Sequence, residues 1–169
     1  MPSLDDVYYL GADPGESGGI ALINDDGHAV FAEKVPPTAK ELLNYLRMLT
    51  TEMNIVGSAI ERIDPRPTGY KDRSGKFIST ILRSSCIIYG DFLQLHMAMI
   101  ACGLNPLIPG PRDWQKALGV ETRDKGESKS QFKRRLKALA EQTFLDIRVT
   151  LKTADALLIA EYARRKNNA

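Results

Sequence analysis

No stretch of this 169-residue chain is apolar enough over enough length to cross a membrane. The best candidate, Cys86 to Ile108, is broken by Asp91, Gln94, His96 and Asn105, whereas a span needs about 20 mostly apolar residues in a row. The opening Met-Pro-Ser-Leu-Asp-Asp lacks the basic and apolar blocks of a secretory leader. Cysteine is scarce: Cys86 and Cys102 have no metal-ligand spacing, sit in an apolar segment, and are expected to be reduced core residues. Repeats, low-complexity tracts and linkers are missing too. These absences point to a soluble, cytoplasmic protein with no membrane partner, folded as one domain over residues 1–169. Its 43% hydrophobic content is enough for a continuous core.

A strong net charge is also lacking, at a formal +2, but the charge is unevenly spread. From Arg62 to Arg83, six basic residues (Arg62, Arg66, Lys71, Arg73, Lys76, Arg83) face two acids, a local +4, with Tyr70 and Phe77 among them. From Arg112 to Lys137, nine basic residues face four acids, a local +5. Basic segments with interspersed aromatics suit a polyanion whose bases can stack. A solvated loop and an exposed helix face give the same composition without any ligand.

Strand-like runs at Val7 to Ala12, Gly19 to Asn24 and Ala29 to Lys34, parted by Pro14-Gly15 and Asp25-Asp26-Gly27, predict an antiparallel meander. Thr38 and Glu41 form a capping box for a helix from Ala39 to Met53. A fourth strand, Asn54 to Ile63, follows, and a single intervening helix makes it a parallel neighbour. Pro65 to Lys76 reads as an irregular loop, Phe77 to Cys102 as a long helix apolar on most sides, and Asn105 to Ile108 as a fifth strand. A helix with more than one apolar face can pack on both the sheet and a second subunit. Helices starting at Pro111, Glu127 and Thr153 complete an α/β domain: a five-stranded mixed sheet, three strands antiparallel and the rest parallel, flanked by helices.

Three carboxylates stand out on this frame. Asp13 ends the first strand inside Gly11-Ala-Asp-Pro-Gly-Glu-Ser-Gly-Gly19, where glycines leave room beside it for a hydrated metal or a phosphate. Glu61 follows Gly57 and Ala59 on one face of the fourth strand, so the two acids emerge at neighbouring carboxyl ends, where open α/β sheets bind ligands. Asp155 shares a helical stripe with Leu158, Ile159 and Tyr162, and a carboxylate turned inward needs a positive partner. Each acid also has an ordinary explanation: a plain Asp-Pro-Gly turn, a strand-end ion pair with Arg62 or Arg66, and a first-turn acid at a helix N-terminus. Together they form a set suited to two-metal phosphodiester hydrolysis, with ions ~4 Å apart, and oxygen-only ligands favour Mg²⁺ or Mn²⁺ over zinc.

The same motifs carry a family resemblance. Gly11 to Gly19, Ala59-Ile-Glu61, Pro109-Gly-Pro-Arg-Asp-Trp-Gln-Lys-Ala-Leu-Gly119 and Ala154-Asp-Ala-Leu-Leu-Ile-Ala-Glu-Tyr162 occur in the order of RuvC-type Holliday junction resolvases. The chain most resembles the small phage and prophage branch of that family, within the RNase H-like superfamily. The resemblance implies an RNase H-like fold and metal ligation by Asp13, Glu61 and Asp155, with two Mg²⁺ ions per site and Mn²⁺ as substitute. It implies Lys129 near the scissile phosphate, with Lys116 a second phosphate contact. It further implies a homodimer that nicks a four-way DNA junction symmetrically, leaving 5′-phosphate and 3′-hydroxyl ends in a bacterial or phage-infected cell. The loop of Arg66, Tyr70, Lys71, Arg73, Lys76 and Phe77 would enter the junction, Tyr70 or Phe77 stacking at its centre. One departure is plain: a fourth acid usual three residues before the last Asp is Lys152 here, leaving either Asp146 or another distant acid to contribute, or one metal held by three carboxylates plus DNA oxygens and water. Three alternatives compete: a flap or branched-DNA endonuclease of the same type, a catalytically silent junction binder, and a sugar-kinase-like ATPase whose glycine turn cradles phosphate. The chain is far shorter than the two-domain proteins of the last kind.

Overall fold

The computed structural model describes residues 6–64, 68–80, 83–121 and 123–168. Strands β1 (Val7–Asp13), β2 (Gly19–Asn24) and β3 (Ala29–Lys34) form the expected antiparallel meander, and α1 (Ala39–Glu52) leads to β4 (Asn54–Ile60), which pairs parallel to β1. The sheet order is β3-β2-β1-β4. Thr38 caps α1 by accepting from the Glu41 backbone N–H at 3.2 Å, as its sequence spacing predicts.

Alternation along β1 builds two cores. Tyr8, Leu10 and Ala12 pack with Leu42, Leu46 and Leu49 of α1 and with Phe92, Leu95 and Met99 of helix α2 (Arg83–Ala101). On the opposite face Tyr9 meets α5 (Ala154–Asn167), together with residues of α3 (Pro111–Ala117) and α4 (Lys129–Thr143). The result is three layers, helices covering both faces of the sheet.

The sheet has four strands rather than five. The expected fifth strand reduces to one parallel bridge between Leu107 and Ala59. Leu107 donates to Ser58, and the N–H groups of Ile60 and Arg62 donate to Leu107 and Pro109. Pro106 and Pro109 have no N–H to give, so the ladder stops after these contacts.

The segment expected to be an irregular loop contains a two-stranded hairpin, β5 (Thr68–Lys71) and β6 (Phe77–Thr80), which also shortens the following helix to start at Arg83. Its turn is built by Asp72, whose Oδ1 accepts from the N–H groups of Ser74 and Lys76 and from the Ser74 hydroxyl. Gly75 supplies the left-handed residue at φ 83°. Prolines and charges masked an Asp-x-x-Gly turn between two β-rich tetrapeptides. Cys86 is exposed on α2, not in the core, because the helix turns its Leu95 and Met99 face to the sheet; Cys102 is partly buried, and both thiols are free.

Gly11 decides how α5 seats. A Cβ there would lie 2.1 Å from the Ala156 carbonyl oxygen and 2.2 Å from the Ala160 nitrogen, both backbone atoms. Gly11→Ala must therefore push α5 off the sheet, and a loss of about 3 kcal/mol is expected in urea unfolding. Gly90→Ala, in α2 with open space around it, should gain up to about 1 kcal/mol. A Gly11→Ala variant as stable as the parent would show that α5 can shift freely.

Candidate active site

The geometry begins with register. Gly11 pairs with Ala59, and the Glu61 N–H donates to the Ala12 carbonyl at 3.0 Å, so Asp13 and Glu61 leave the sheet side by side at its carboxyl edge. Both follow small residues on the face toward α5. Gly11 lets α5 lie against the strand backbone there, and Gly19 accommodates the Lys152 carbonyl, 2.7 Å from where a Cβ would be. The first turn of α5 therefore ends over the strand ends and delivers Asp155.

All three acids line one cleft of about 570 Å³, with Glu16, Ser17 and Gly18 of the glycine turn, Asp91 of α2, Gln115 of α3, and Lys129, Phe132 and Lys133 of α4. A larger hollow of about 730 Å³, around Lys137, Phe144 and Leu151, holds none of the three acids.

Electrostatics mark the acid cleft. Burial pushes the Asp13 carboxyl well above the ordinary carboxylate range, and the charges of Glu61 and Asp155 push it further, with Lys133 opposing. Glu61 is raised to about 7, chiefly by burial and also by Asp155, against the pull of a Trp114 hydrogen bond and Lys133. Asp155 is raised by burial, with Lys133 again opposing. The Lys133 ammonium lies 3.9 Å from Asp155 Oδ2. Trp114 Nε1–H donates to Glu61 Oε2 at 2.7 Å.

The sequence-derived residues separate into groups. Asp13, Glu61, Asp155 and Lys129 come together. Lys116 is exposed on α3 and does not line the cleft; its neighbour Gln115 does. Arg73 and Lys76 are exposed at the hairpin turn, and Tyr70, Lys71 and Phe77 lie on its strands, while Arg66 lies outside the described residues. Asp146 pairs with His28 at 2.7 Å and does not reach the cleft. Glu161 is buried in a clamp with Arg164 and Arg165, at 2.8 and 2.7 Å. Two charged residues of the helices join the cleft without a sequence assignment: Lys133, one helical turn beyond Lys129 on the same face, and Asp91 of α2. The four-residue spacing could have revealed Lys133; nothing local marks Asp91.

The donor set fits a hard divalent cation, being oxygen-only and too negative to stay uncompensated when buried. Asp13, Glu61 and Asp155 would hold such an ion. As the side chains stand, no three acidic, histidine or cysteine side chains among the described residues close on one ligation point, so binding requires rotamer adjustment.

The fold is α/β, a mixed sheet flanked by helices, and solved structures share it. The chain is similar to T. thermophilus RuvC solved in complex with a Holliday junction substrate, at 16% identity, with 96% of each chain covered and a TM-score of 0.55. A second Thermus thermophilus RuvC structure aligns at 16% identity over 95% of this chain and 96% of that one, with a TM-score of 0.49. No protein-family model and no curated protein matches the chain. No helix among the described residues is long and apolar enough to cross a membrane.

Raised carboxyl values give a signed pH dependence. A group whose folded value exceeds its unfolded one contributes stability below its ordinary range and loses it as pH rises through the folded value. In metal-free protein the melting temperature should fall as pH climbs from about 4.5 through about 7, the interval set by Glu61. Asp13→Asn should flatten that fall, and Mg²⁺ should raise the parent's melting temperature more at pH 8 than at pH 5. A pH-independent melting temperature without metal would contradict the burial of three like charges.

Proposed function

We propose that this protein is a divalent-metal-dependent endonuclease of branched DNA that resolves four-way junctions. One observation carries the reading: Asp13, Glu61 and Asp155 line a single cleft with Lys129 and Lys133 at the carboxyl edge of a RuvC-like sheet. The likeness to a RuvC solved with a Holliday junction substrate supports the choice of DNA form.

On this reading the three carboxylates hold the metal and Lys129 and Lys133 meet the scissile phosphate. Bound Mg²⁺ or Mn²⁺, two ions per site, would supply Lewis-acid activation of water and charge neutralisation at the leaving oxygen. Phe132 and Leu136 form the apolar wall beside the acids and limit their hydration. Water adds to phosphorus, the bond to the 3′ oxygen breaks, and 5′-phosphate and 3′-hydroxyl ends remain.

Two further features support a dimer working on a junction. The face of α2 turned away from its buried residues carries Leu93, Met97 and Ile100, each at least 41% exposed, a stripe suited to a second copy. The β5–β6 hairpin comes next in sequence after the strand that leads to Glu61, with Arg73 and Lys76 at its turn, where it would enter the junction centre along with Arg66, Tyr70, Lys71 and Phe77. Lys116, exposed on α3, would contact flanking phosphate. We place the protein among the small phage-type resolvases, acting in the cytoplasm as one domain.

The test is cleavage of a synthetic four-way junction beside a flap and a linear duplex of matched sequence. Paired symmetric nicks confined to the junction and dependent on Mg²⁺ are expected. Asp13→Asn should lose at least about a hundredfold in rate while still binding junction. Lys129→Ala and Lys133→Ala should each slow cutting on the order of a hundredfold. Preferential flap cutting would move the substrate assignment, and junction binding without cutting in Mg²⁺ or Mn²⁺ would make this a silent binder.

A further inference from the structure

Trp114 is the chain's one tryptophan, and its side chain is fully buried. A buried indole keeps one polar handle, the Nε1–H, which must find an acceptor. Here that acceptor is Glu61 Oε2, at 2.7 Å. Among the described residues nothing donates to the other oxygen, Oε1, and no sealed side-chain oxygen lacks a partner. Oε1 is therefore the oxygen that Glu61 offers to the cleft it lines.

The approach of the indole is built into the backbone. The N–H of Leu107 donates to Ser58 at 2.8 Å, that of Ile60 to Leu107 at 2.9 Å, and that of Arg62 to Pro109 at 2.8 Å. These bonds fix the strand on both sides of Glu61. Gly110 then caps α3, its N–H donating to Asp113 Oδ2 at 2.9 Å, and Pro111 opens the helix. One short segment thus pins the Glu61 backbone and, three residues after Pro111, sets the indole against its carboxylate. A hydrophobic residue of similar size would fill the same space, but without the N–H it would leave the carboxylate free to turn.

On the reading that the cleft holds divalent metal, we propose that Trp114 is a positioning residue for Glu61: its indole N–H fixes the carboxylate's rotation, presents Oε1 to the ion and so sets the cation affinity of the site. Hydrogen bonds that orient a metal-ligating side chain typically contribute tenfold or more to metal affinity.

The experiment measures Mn²⁺ binding to the full DNA-free chain, wild type against Trp114→Phe, by calorimetry. The variant should bind Mn²⁺ about tenfold more weakly while still unfolding cooperatively in chelator, at a lower temperature than the wild type. The Mg²⁺ concentration for half-maximal junction cleavage should rise by the same factor, with the rate at saturating Mg²⁺ little changed. Equal Mn²⁺ affinity in a folded variant overturns the positioning role and leaves the nuclease reading standing. No Mn²⁺ binding by the wild type itself overturns both. If the variant does not fold, the wild type still decides. Its single indole N–H resonance should move on Mg²⁺ titration and saturate as the site fills, and should also move on Glu61→Gln without metal. An indole resonance indifferent to both reduces Trp114 to a core residue.

Discussion

The contact of α5 with the backbone of β1 at Gly11 is the constraint on which the rest of this structure depends. A helix normally stands off a sheet by the thickness of its side chains. Here the missing Cβ lets Ala156 and Ala160 meet the strand backbone directly. Gly19 repeats the device at the helix start, below the Lys152 carbonyl. Asp155 sits in the first turn of that helix, so its distance from Asp13 and Glu61 is set by how closely these glycines allow it to approach. The small Ala59 beside Gly11 in register completes a shallow trough in the sheet. Packing and chemistry share one cause: the residues that let α5 down onto the sheet also bring the third acid to the other two.

That closeness creates an electrostatic debt. Three carboxylates are drawn together in a partly buried cleft, and burial alone raises each of them. Two groups moderate the cost without removing it. Lys133 opposes the rise at all three sites, and Trp114 opposes it at Glu61. Glu161, on the same helix, is also buried but sits between two guanidinium groups, and its carboxyl is held below the ordinary range although burial pushes it up. The contrast separates a compensated structural acid from acids kept in want of positive charge, which a bound cation would supply.

Much of this was legible in the chain. β2 and β3 have the expected bounds, β1 runs one residue further to include Asp13, and the parallel return of β4 after one helix placed Asp13 beside Glu61 before any coordinates. Those signals are local: alternation, a capping Thr38, glycine turns. Features missed were those that depend on partners. Leu107 pairs with β4 too briefly to make a strand, because its flanking prolines cannot donate, and no periodicity reveals that. The β5–β6 hairpin hid behind its charges and the prolines that precede it in sequence, though Asp72 and Gly75 carry a readable turn. Cys86 looked interior because α2 is apolar nearly all round, and only packing shows which face meets the core. In the cleft, Asp91 comes from a helix remote in sequence from every motif.

The basic segment from Arg112 to Lys137 also changes meaning once its partners are known. Arg135 is tied to Glu127 at 3.1 Å, and Lys137 is paired with Glu141 one turn along α4. Lys152, standing where a fourth acid would be, lines the separate hollow of Lys137 and Arg148 rather than the cleft. Among the described residues, the positive charge that lines the acid cleft is that of Lys133, beside Asp155, and Lys129. A polyanion approaching α4 would meet those lysines beside acids that repel it. Only a cation among those acids makes phosphate welcome there. On the proposed reading, metal and nucleic acid would each improve the place of the other. Surface lysines alone would give only salt-sensitive attachment without register.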